Sequence, residues 1–419
     1  MIKTVKDIEL KGKRVIMRVD FNVPMKDGKV QDDTRIMAAL PTIKYVLDAR
    51  VRSLVLMSHL GDPDKDAAKA KEKAEKEGKA FDLEKYLNGK HRMQPVAEYL
   101  SSKLGKPVVF LPSCKGQKEA IDALPDGAVA MLENTRFHKE ETAKDIAVQE
   151  VLAKELASYG DVYVNDAFGT AHRAHASTAT ISKFSSVSVG GFLMEKEVVH
   201  LEPLLTNPPK PMVAVIGGAK VSSKIAVLES LLKTADALII GGGMAYTFLK
   251  VQGIQIGKSM VENDFLDVAR NLLAAAGKAN VKIILPVDHV CAETFAPDAK
   301  PVPVDSANIP ENLMGLDVGP KTLELYRATL AAARSVVWNG PVGVFEFDSF
   351  AKGTEDVARM VATATGRGAL TVVGGGDSVS AVNKFGLASQ MSHVSTGGGA
   401  SLEYLEGKTL PGIACLEQK

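Results

Sequence analysis

The chain has 419 residues, 46% hydrophobic and 24% charged, enough apolar material for more than one buried core. Its 51 Lys+Arg against 50 Asp+Glu leave a net charge of +1, which gives no support to a nucleic-acid or membrane-surface partner. Cys114, Cys291 and Cys415 are too few and too far apart for a disulfide framework or a zinc site, and they fit a reducing compartment. The opening MIKTVKDIELKGKR lacks the apolar stretch of a signal peptide. No run reaches the roughly 18–20 apolar residues of a membrane span, so a soluble, cytoplasmic chain is expected.

In chain order, Arg14–Asp20 (RVIMRVD) reads as a buried strand that ends in Asp20, Phe21, Asn22. Asp32, Asp33 and Thr34 precede a helix starting near Arg35. Ser53–Met57 is a second strand and ends in Ser58, His59, Leu60, Gly61. Pro107–Leu111 and Ala128–Leu132 follow, the latter running into Glu133, Asn134, Thr135, Arg136. Asp161–Val164 is a fifth and ends in NDAFGTAHRAHAS. Apolar strands separated by helix-length segments imply a parallel sheet with crossover helices, which binds ligands at the carboxyl ends of its strands.

Residues 62–92 interrupt this rhythm. They are rich in Lys, Glu and Ala, and they offer Glu72–Lys76 and Glu75–Lys79 as i,i+4 pairs. A solvated helical insertion is expected, since the mixed charges disfavour a nucleic-acid arm. FLMEKEVVHLEPLL, residues 192–205, has helical spacing and runs into TNPPKP, the pattern of a connector between domains.

The second half repeats strand and glycine. Met212–Ile216 leads to Gly217, Gly218, Ala219, Lys220, with Lys224 four residues on. Ala237–Ile240 leads to Gly241, Gly242, Gly243. Val281–Leu285 comes next, and Ser335–Trp338 leads to Asn339, Gly340, Pro341. LTVV and MSHVS each empty into three glycines, the first followed by Asp377 and Ser378. Glycine lets the backbone approach a phosphate, and the first-turn N–H groups of a following helix favour its charge. Asp377 either caps that helix or holds a Mg²⁺. Lys220 and Lys224, if helical, share a face that suits phosphates, and otherwise are surface lysines.

The halves therefore differ. The first offers Arg18, Arg35, His59, Arg136, His172, Arg173 and His175 near strand ends, side chains suited to phosphate and carboxylate. The second offers glycines, two lysines and an acid. GIQIGKS has three residues between its glycines where a Walker loop has four, and no G-x-G-x-x-G follows a first strand.

RVDFNVP, SHLG, ENTRFH, VNDAFGTAHRAH, GGFLMEKE, GGAKVSSK, IIGGGMA, LPVD, MGLDVGP, WNGPVGVFE, GGGDS and VSTGGGASLE resemble phosphoglycerate kinases, in that family's order. The resemblance covers the chain apart from the 62–92 insertion. It implies two doubly wound, Rossmann-like α/β domains joined by a hinge helix and closing on their ligands. Residues 1–188 would take 3-phosphoglycerate or 1,3-bisphosphoglycerate, and 189–405 MgADP or MgATP. The connector would be 189–208, and the tail 406–419 would return to the first domain. The resemblance assigns Asp20, Phe21, Asn22, Arg35, His59, Leu60, Gly61, Arg136 and Arg173 to the glycerate ligand. It assigns Gly218, Ala219, Lys220, Lys224, Gly242, Gly243, Gly315, Leu316, Asn339, Pro341, Glu346, Gly375, Gly376, Asp377 and Ser378 to the nucleotide. Arg35, Lys220, Gly375 and Gly398 would act on the transferring group, with Mg²⁺ at Asp377. A reversible kinase of glycolysis is expected, working as a monomer without nucleic acid or membrane. A nucleotide-dependent dehydrogenase and a non-catalytic nucleotide-binding protein are the other readings. The family usually has Arg where this chain has Asp62, at the start of the insertion. Two readings follow. Either the insertion folds back and supplies a replacement cation, with Lys65, Lys90 and Arg92 nearest in sequence, or the pocket works with Arg136, Arg173 and His59 while Asp62 points away and pairs with a lysine of the insertion. The second is the expected one.

Overall fold

The computed structural model describes residues 1–419 as two compact units, Met1–Val198 with Thr409–Lys419, and Val199–Lys408. Each is built on a six-stranded parallel sheet. In the first the strands are β1 (Arg14–Val19), β2 (Ser53–Met57), β3 (Val108–Leu111), β4 (Ala128–Leu132), β5 (Val162–Asp166) and β6 (Ser188–Gly190). Their spatial order is β3-β4-β2-β1-β5-β6. In the second they are β7 (Met212–Ile216), β8 (Ala237–Ile240), β9 (Lys282–Ile284), β10 (Ser335–Asn339), β11 (Leu370–Gly374) and β12 (His393–Val394), ordered β9-β8-β7-β10-β11-β12. The winding reverses between β1 and β5 in one sheet and between β7 and β10 in the other. Loops leaving such a pair diverge and open a crevice at the strand ends.

Helices cover both faces of a parallel sheet, so its central strands are apolar throughout rather than alternating. Every residue of β2, β5, β7 and β10 is buried. Val15, Met17 and Val19 of β1 pack with Ile36, Leu40 and Ile43 of the helix Thr34–Asp48. In the second unit Val213, Val336 and Trp338 pack with Leu323, Tyr326 and Val357 of the helices Pro320–Ala331 and Lys352–Gly366.

The helix Phe192–Thr206 carries the chain out of the first unit. The C-terminal residues lie on the first unit, where Gly412 N–H donates to Ala171 O at 2.8 Å and Glu417 N–H to Ser188 O at 2.9 Å. No helix is long and apolar enough to cross a membrane.

Three features differ from the sequence expectations. A three-stranded antiparallel sheet, His289–Ala292, Val302–Val304 and Met314–Val318, forms between β9 and β10, where the sequence pattern assigns no strand. The insertion is helical, as Pro63–Lys76 and Leu83–Lys90, but Glu75 does not pair with Lys79. The helix ends at Lys76, which leaves Lys79 with Glu77 at 2.7 Å and Glu75 with Lys71 at 3.9 Å. The helix after GGAKVSSK begins only at Ile225, so Lys220 and Lys224 do not share a helical face. Gly218 at φ +110° breaks the helical path, and Glu262 accepts from the Ser222 N–H at 3.0 Å and hydroxyl at 2.6 Å.

Candidate active site

In the first unit the strand ends gather cations. Asp20, just past β1, accepts from Arg35 in the first turn of the next helix at 2.8 Å. Arg35 keeps 38% of its side chain exposed. Phe21 is buried, and its N–H donates to the Ser58 hydroxyl at 2.9 Å. Asn22 Oδ1 accepts from Gly61 N–H at 2.8 Å, tying the loop after β1 to the loop after β2. Arg136, in the short 3₁₀ turn after β4, donates to Gly61 O at 2.6 Å. Arg173 stays exposed, its Nε–H directed to His172 Nε2 at 3.2 Å.

His59 records the charge these groups create. It is buried, its Nδ1 lies 3.1 Å from Arg18 Nη2, and its pKa falls well below the ordinary imidazole value. Burial is the largest cause, followed by the guanidiniums of Arg18, Arg136, Arg173 and Arg35. His175 responds likewise, pushed down to about 3 by burial and by Arg18, Arg136 and Arg173. Both rings are neutral at pH 7. Arg136, Arg173 and His175 line a concavity of about 200 Å³ together with Asp62, Asp64 and Thr142.

Asp62 does not point away. Its carboxylate lies 3.9 Å from Arg136 Nη1 while Oδ1 accepts from Lys65 N–H at the start of the insertion helix. Capping fixes the side chain at the pocket rim, so no lysine of the insertion reaches it there.

Sequence reasoning missed the polar scaffold behind this surface. Asn134 donates to Leu60 O and His91 O and accepts from the N–H groups of Leu60 and Arg136. Buried Arg18 donates to Ser177 Oγ at 2.9 Å, and the Ser177 hydroxyl donates to Glu141 at 2.6 Å. Asn134 and Glu141 sit in or just after the ENTRFH motif, but only the fold makes them partners of residues far away in sequence.

In the second unit the backbone does the gathering. Gly218, Gly242 and Gly375 have φ of +110°, +68° and +88°. A Cβ at Gly242 would stand 2.6 Å from Gly218 O, and one at Gly375 would stand 3.0 Å from Asn339 Nδ2. Gly218 N–H donates to Pro341 O at 3.0 Å, which joins the turns at the β7/β10 switch point. Ala219 and Lys220 are exposed on this turn, and Gly243 adjoins Ala219. Lys224 donates to Asn339 Oδ1. Burial lowers the Lys224 pKa, and the charges of Asp377 and Glu406 oppose that shift. Asn339 Nδ2 is buried without a hydrogen-bond partner. Such a donor costs stability unless an acceptor reaches it.

Gly376 and Asp377 open the helix Gly376–Lys384, and the Asp377 side chain makes no capping bond there. Asp377 is therefore an exposed carboxylate at a helix N-terminus, a hard oxygen donor that fits a Mg²⁺ retaining most of its waters. Ser378 is buried and accepts from Gly340 N–H at 2.5 Å, so its hydroxyl holds the neighbouring turn. Gly398, at φ +53°, precedes the helix Gly399–Leu405. Gly315 and Leu316 lie on the antiparallel sheet, with Gly315 backed by Tyr246 and Leu316 packed with Phe350. Glu346 is exposed, and the next residue, Phe347, packs 5.0 Å from the 63% exposed ring of Phe295, an aromatic that sequence reasoning overlooked.

The family model for phosphoglycerate kinase matches residues 5–408. A phosphoglycerate kinase from Treponema pallidum (strain Nichols) is 63% identical over 417 residues, covering 100% of both chains. The chain belongs to the phosphoglycerate kinase family. Another phosphoglycerate kinase, from Synechococcus elongatus, is 51% identical, covering 98% of this chain and 96% of its own. The solved phosphoglycerate kinase of Coxiella burnetii superposes with a TM-score of 0.86 at 42% identity over 99% of this chain and 98% of its own. That of Pyrococcus horikoshii OT3 gives 0.76 at 32% over the same shares. As a phosphoglycerate kinase the chain is an enzyme of glycolysis, transferring a phosphoryl group reversibly between 1,3-bisphosphoglycerate and ADP. It acts on small molecules, and the dehydrogenase and non-catalytic readings give way.

Proposed function

We propose that the first unit, roughly residues 1–188 with the tail 406–419, binds the phosphoglycerate, and that residues 189–405 bind ADP or ATP with Mg²⁺. The observation that carries this assignment is the convergence of Arg18, Arg35, Arg136 and Arg173 on the neutral His59. Phosphoglycerate is small and carries a phosphate and a carboxylate, which planar guanidiniums pair with directly. The second unit offers close backbone approach and an unpartnered amide N–H at Asn339, which suits a longer polyphosphate.

The acceptor carboxylate is already ionised at neutral pH, so its attack on phosphorus needs no general base. The chain's task is to position and to neutralise. Arg35, steadied by Asp20, and the exposed Lys220 would place positive charge on the moving phosphoryl group. Main-chain N–H groups at Gly375 and Gly398 would receive its oxygens. His59, held neutral, would donate from Nε2 while its Nδ1 accepts from Arg18. Lys224 and the Asn339 amide would hold nucleotide phosphates at the β10 end, and Asp377 would hold the Mg²⁺. When bound, the metal ion supplies neutralisation of the polyphosphate oxygens. The exposed Phe295 beside Phe347 and Glu346 offers an apolar platform for a nucleobase. Both ligand sites lie on one chain, which supports a monomer, and glycolytic chemistry supports a cytoplasmic setting.

Nuclear magnetic resonance of ¹⁵N-histidine-labelled protein tests the assignment. 3-Phosphoglycerate alone should raise the pKa of His59 and His175 by offsetting the positive field, and MgATP alone should leave both in place. Movement with MgATP and not with 3-phosphoglycerate would reverse the two units.

A further inference from the structure

The insertion 62–92 starts directly after the loop that follows β2 and is tied back to that loop at its finish. At its start Asp62 faces Arg136. At its finish His91, which closes the helix Leu83–Lys90, is only 2% exposed. Its ring lies directly under Gly61, where a Cβ would stand 2.7 Å from Nδ1. Gly61 has φ +65°, so this position accepts neither a side chain nor an ordinary residue's backbone. His91 Nδ1 lies 3.2 Å from Leu60 O, within hydrogen-bond reach. Its Nε2 has no hydrogen-bond partner and stands 3.5 Å from Asp66 of the insertion's first helix. Burial lowers the His91 pKa, so the ring is neutral at pH 7 and carries one N–H.

Contacts to Asn134 and Glu133 complete the brace. The His91 carbonyl accepts from Asn134 Nδ2 at 2.9 Å, and that same amide group donates to Leu60 O at 2.8 Å. Met93 N–H donates to Glu133 Oε1 at 2.8 Å, while Arg92 pairs with the same carboxylate. The loop held in this way presents Gly61 N–H to Asn22 and Gly61 O to Arg136. A one-ångström shift of Leu60 and Gly61 would move both contacts.

We infer that the insertion is a brace for the His59–Gly61 loop, and that His91 is a positioning residue for the three-carbon acid, acting through the Nδ1–H bond to Leu60 O. This rests on the assignment of the first unit to phosphoglycerate. His91 touches no reacting atom, so its removal should weaken binding of one substrate and leave transfer itself nearly intact. The insertion thereby gains a role that its surface charge alone does not suggest.

The test has a part that needs no variant. In ¹⁵N-histidine-labelled wild-type enzyme, His91 should carry its proton on Nδ1 at pH 7, and 3-phosphoglycerate should shift its ring signals. A proton on Nε2, facing Asp66, overturns the proposal. The second part compares His91→Leu, which keeps bulk under Gly61 but lacks the donor, with His91→Asn, which returns an N–H near the Nδ1 position. The leucine variant should raise the KM for 3-phosphoglycerate about three- to tenfold, the range expected for one lost hydrogen bond. Its kcat and ATP KM should stay within about twofold, and the asparagine variant should recover most of the loss. A wild-type KM in His91→Leu, or parallel changes in both KM values, overturns the proposal. Arg136→Ala serves as the control. If it leaves the 3-phosphoglycerate KM unchanged, the assignment of the unit has failed. If it raises that KM while His91→Leu does not, only the brace has failed.

Discussion

In the first unit the positive charge sits on side chains, and Arg35, Arg136 and Arg173 stand at strand ends with Arg18 buried behind them. In the second unit Gly218, Gly242 and Gly375 turn the main chain outward, and Lys220 and Lys224 add positive charge. Burial, reinforced by the field of the guanidiniums, holds both His59 and His175 neutral. That field needs a scaffold of buried partners, which Ser177, Glu141 and Asn134 provide. Glycine turns need no such scaffold, but they forbid a Cβ. The first arrangement fits a short, dense anion. The second fits a flexible polyphosphate that brings its own metal.

The largest expected effect lies at Arg35 and Lys220, the two side chains proposed to act on the transferred phosphoryl group. Arg35→Ala and Lys220→Ala should each lower kcat on the order of 100-fold or more, and raise either KM by less. A variant keeping over about half of the wild-type kcat removes that residue from the catalytic set.

Burial of His175 beside the arginines carries a cost at low pH. His175 has a folded pKa of about 3 against an unfolded value near 6.5, so the unfolded chain binds the extra proton between them. Its contribution to stability is therefore intact above about pH 6.5 and is lost as pH falls toward 3. Between about pH 6.5 and 5 this amounts to roughly 1.5 kcal/mol. Chemical denaturation of His175→Asn should show a pH dependence flatter than wild type by about that amount. Equal slopes would show that His175 is not held neutral by burial and the neighbouring arginines.

A smaller effect is expected at the metal. Asp377→Asn keeps the shape and removes the charge, and should raise the Mg²⁺ concentration for half-maximal rate several-fold. An unshifted titration makes Asp377 a helix-end charge only. Asp62 should give the smallest effect. At 3.9 Å from Arg136 and 52% exposed, it competes weakly with an incoming anion. Asp62→Asn keeps a capping oxygen and should lower the 3-phosphoglycerate KM about twofold. An unchanged KM would leave Asp62 as a cap alone.

The parallel sheets were legible because strands buried on both faces appear as apolar runs, and β1, β2, β4, β7 and β10 stand where VIMRV, SLVLM, AVAML, MVAVI and SVVW predict. The polar residues after each run mark where chemistry can sit. Short strands such as Val302–Val304 carry too few residues for a period to show. The shape of the Lys220 turn depends on Glu262, and the aim of Asp62 depends on Arg136. The buried role of His91 depends on Leu60 and Gly61. Each of these is a partnership across the chain, invisible to local pattern.

The most direct test of the division between side-chain and backbone sites is a pair of variants titrated calorimetrically with each ligand alone. Arg136→Ala should weaken 3-phosphoglycerate about tenfold or more and leave MgATP affinity within about twofold. Gly375→Ala puts a Cβ 3.0 Å from Asn339 Nδ2 at φ +88°, and should weaken MgATP about tenfold while sparing 3-phosphoglycerate. Either variant weakening both ligands equally, or weakening only the ligand assigned to the other unit, would contradict the account.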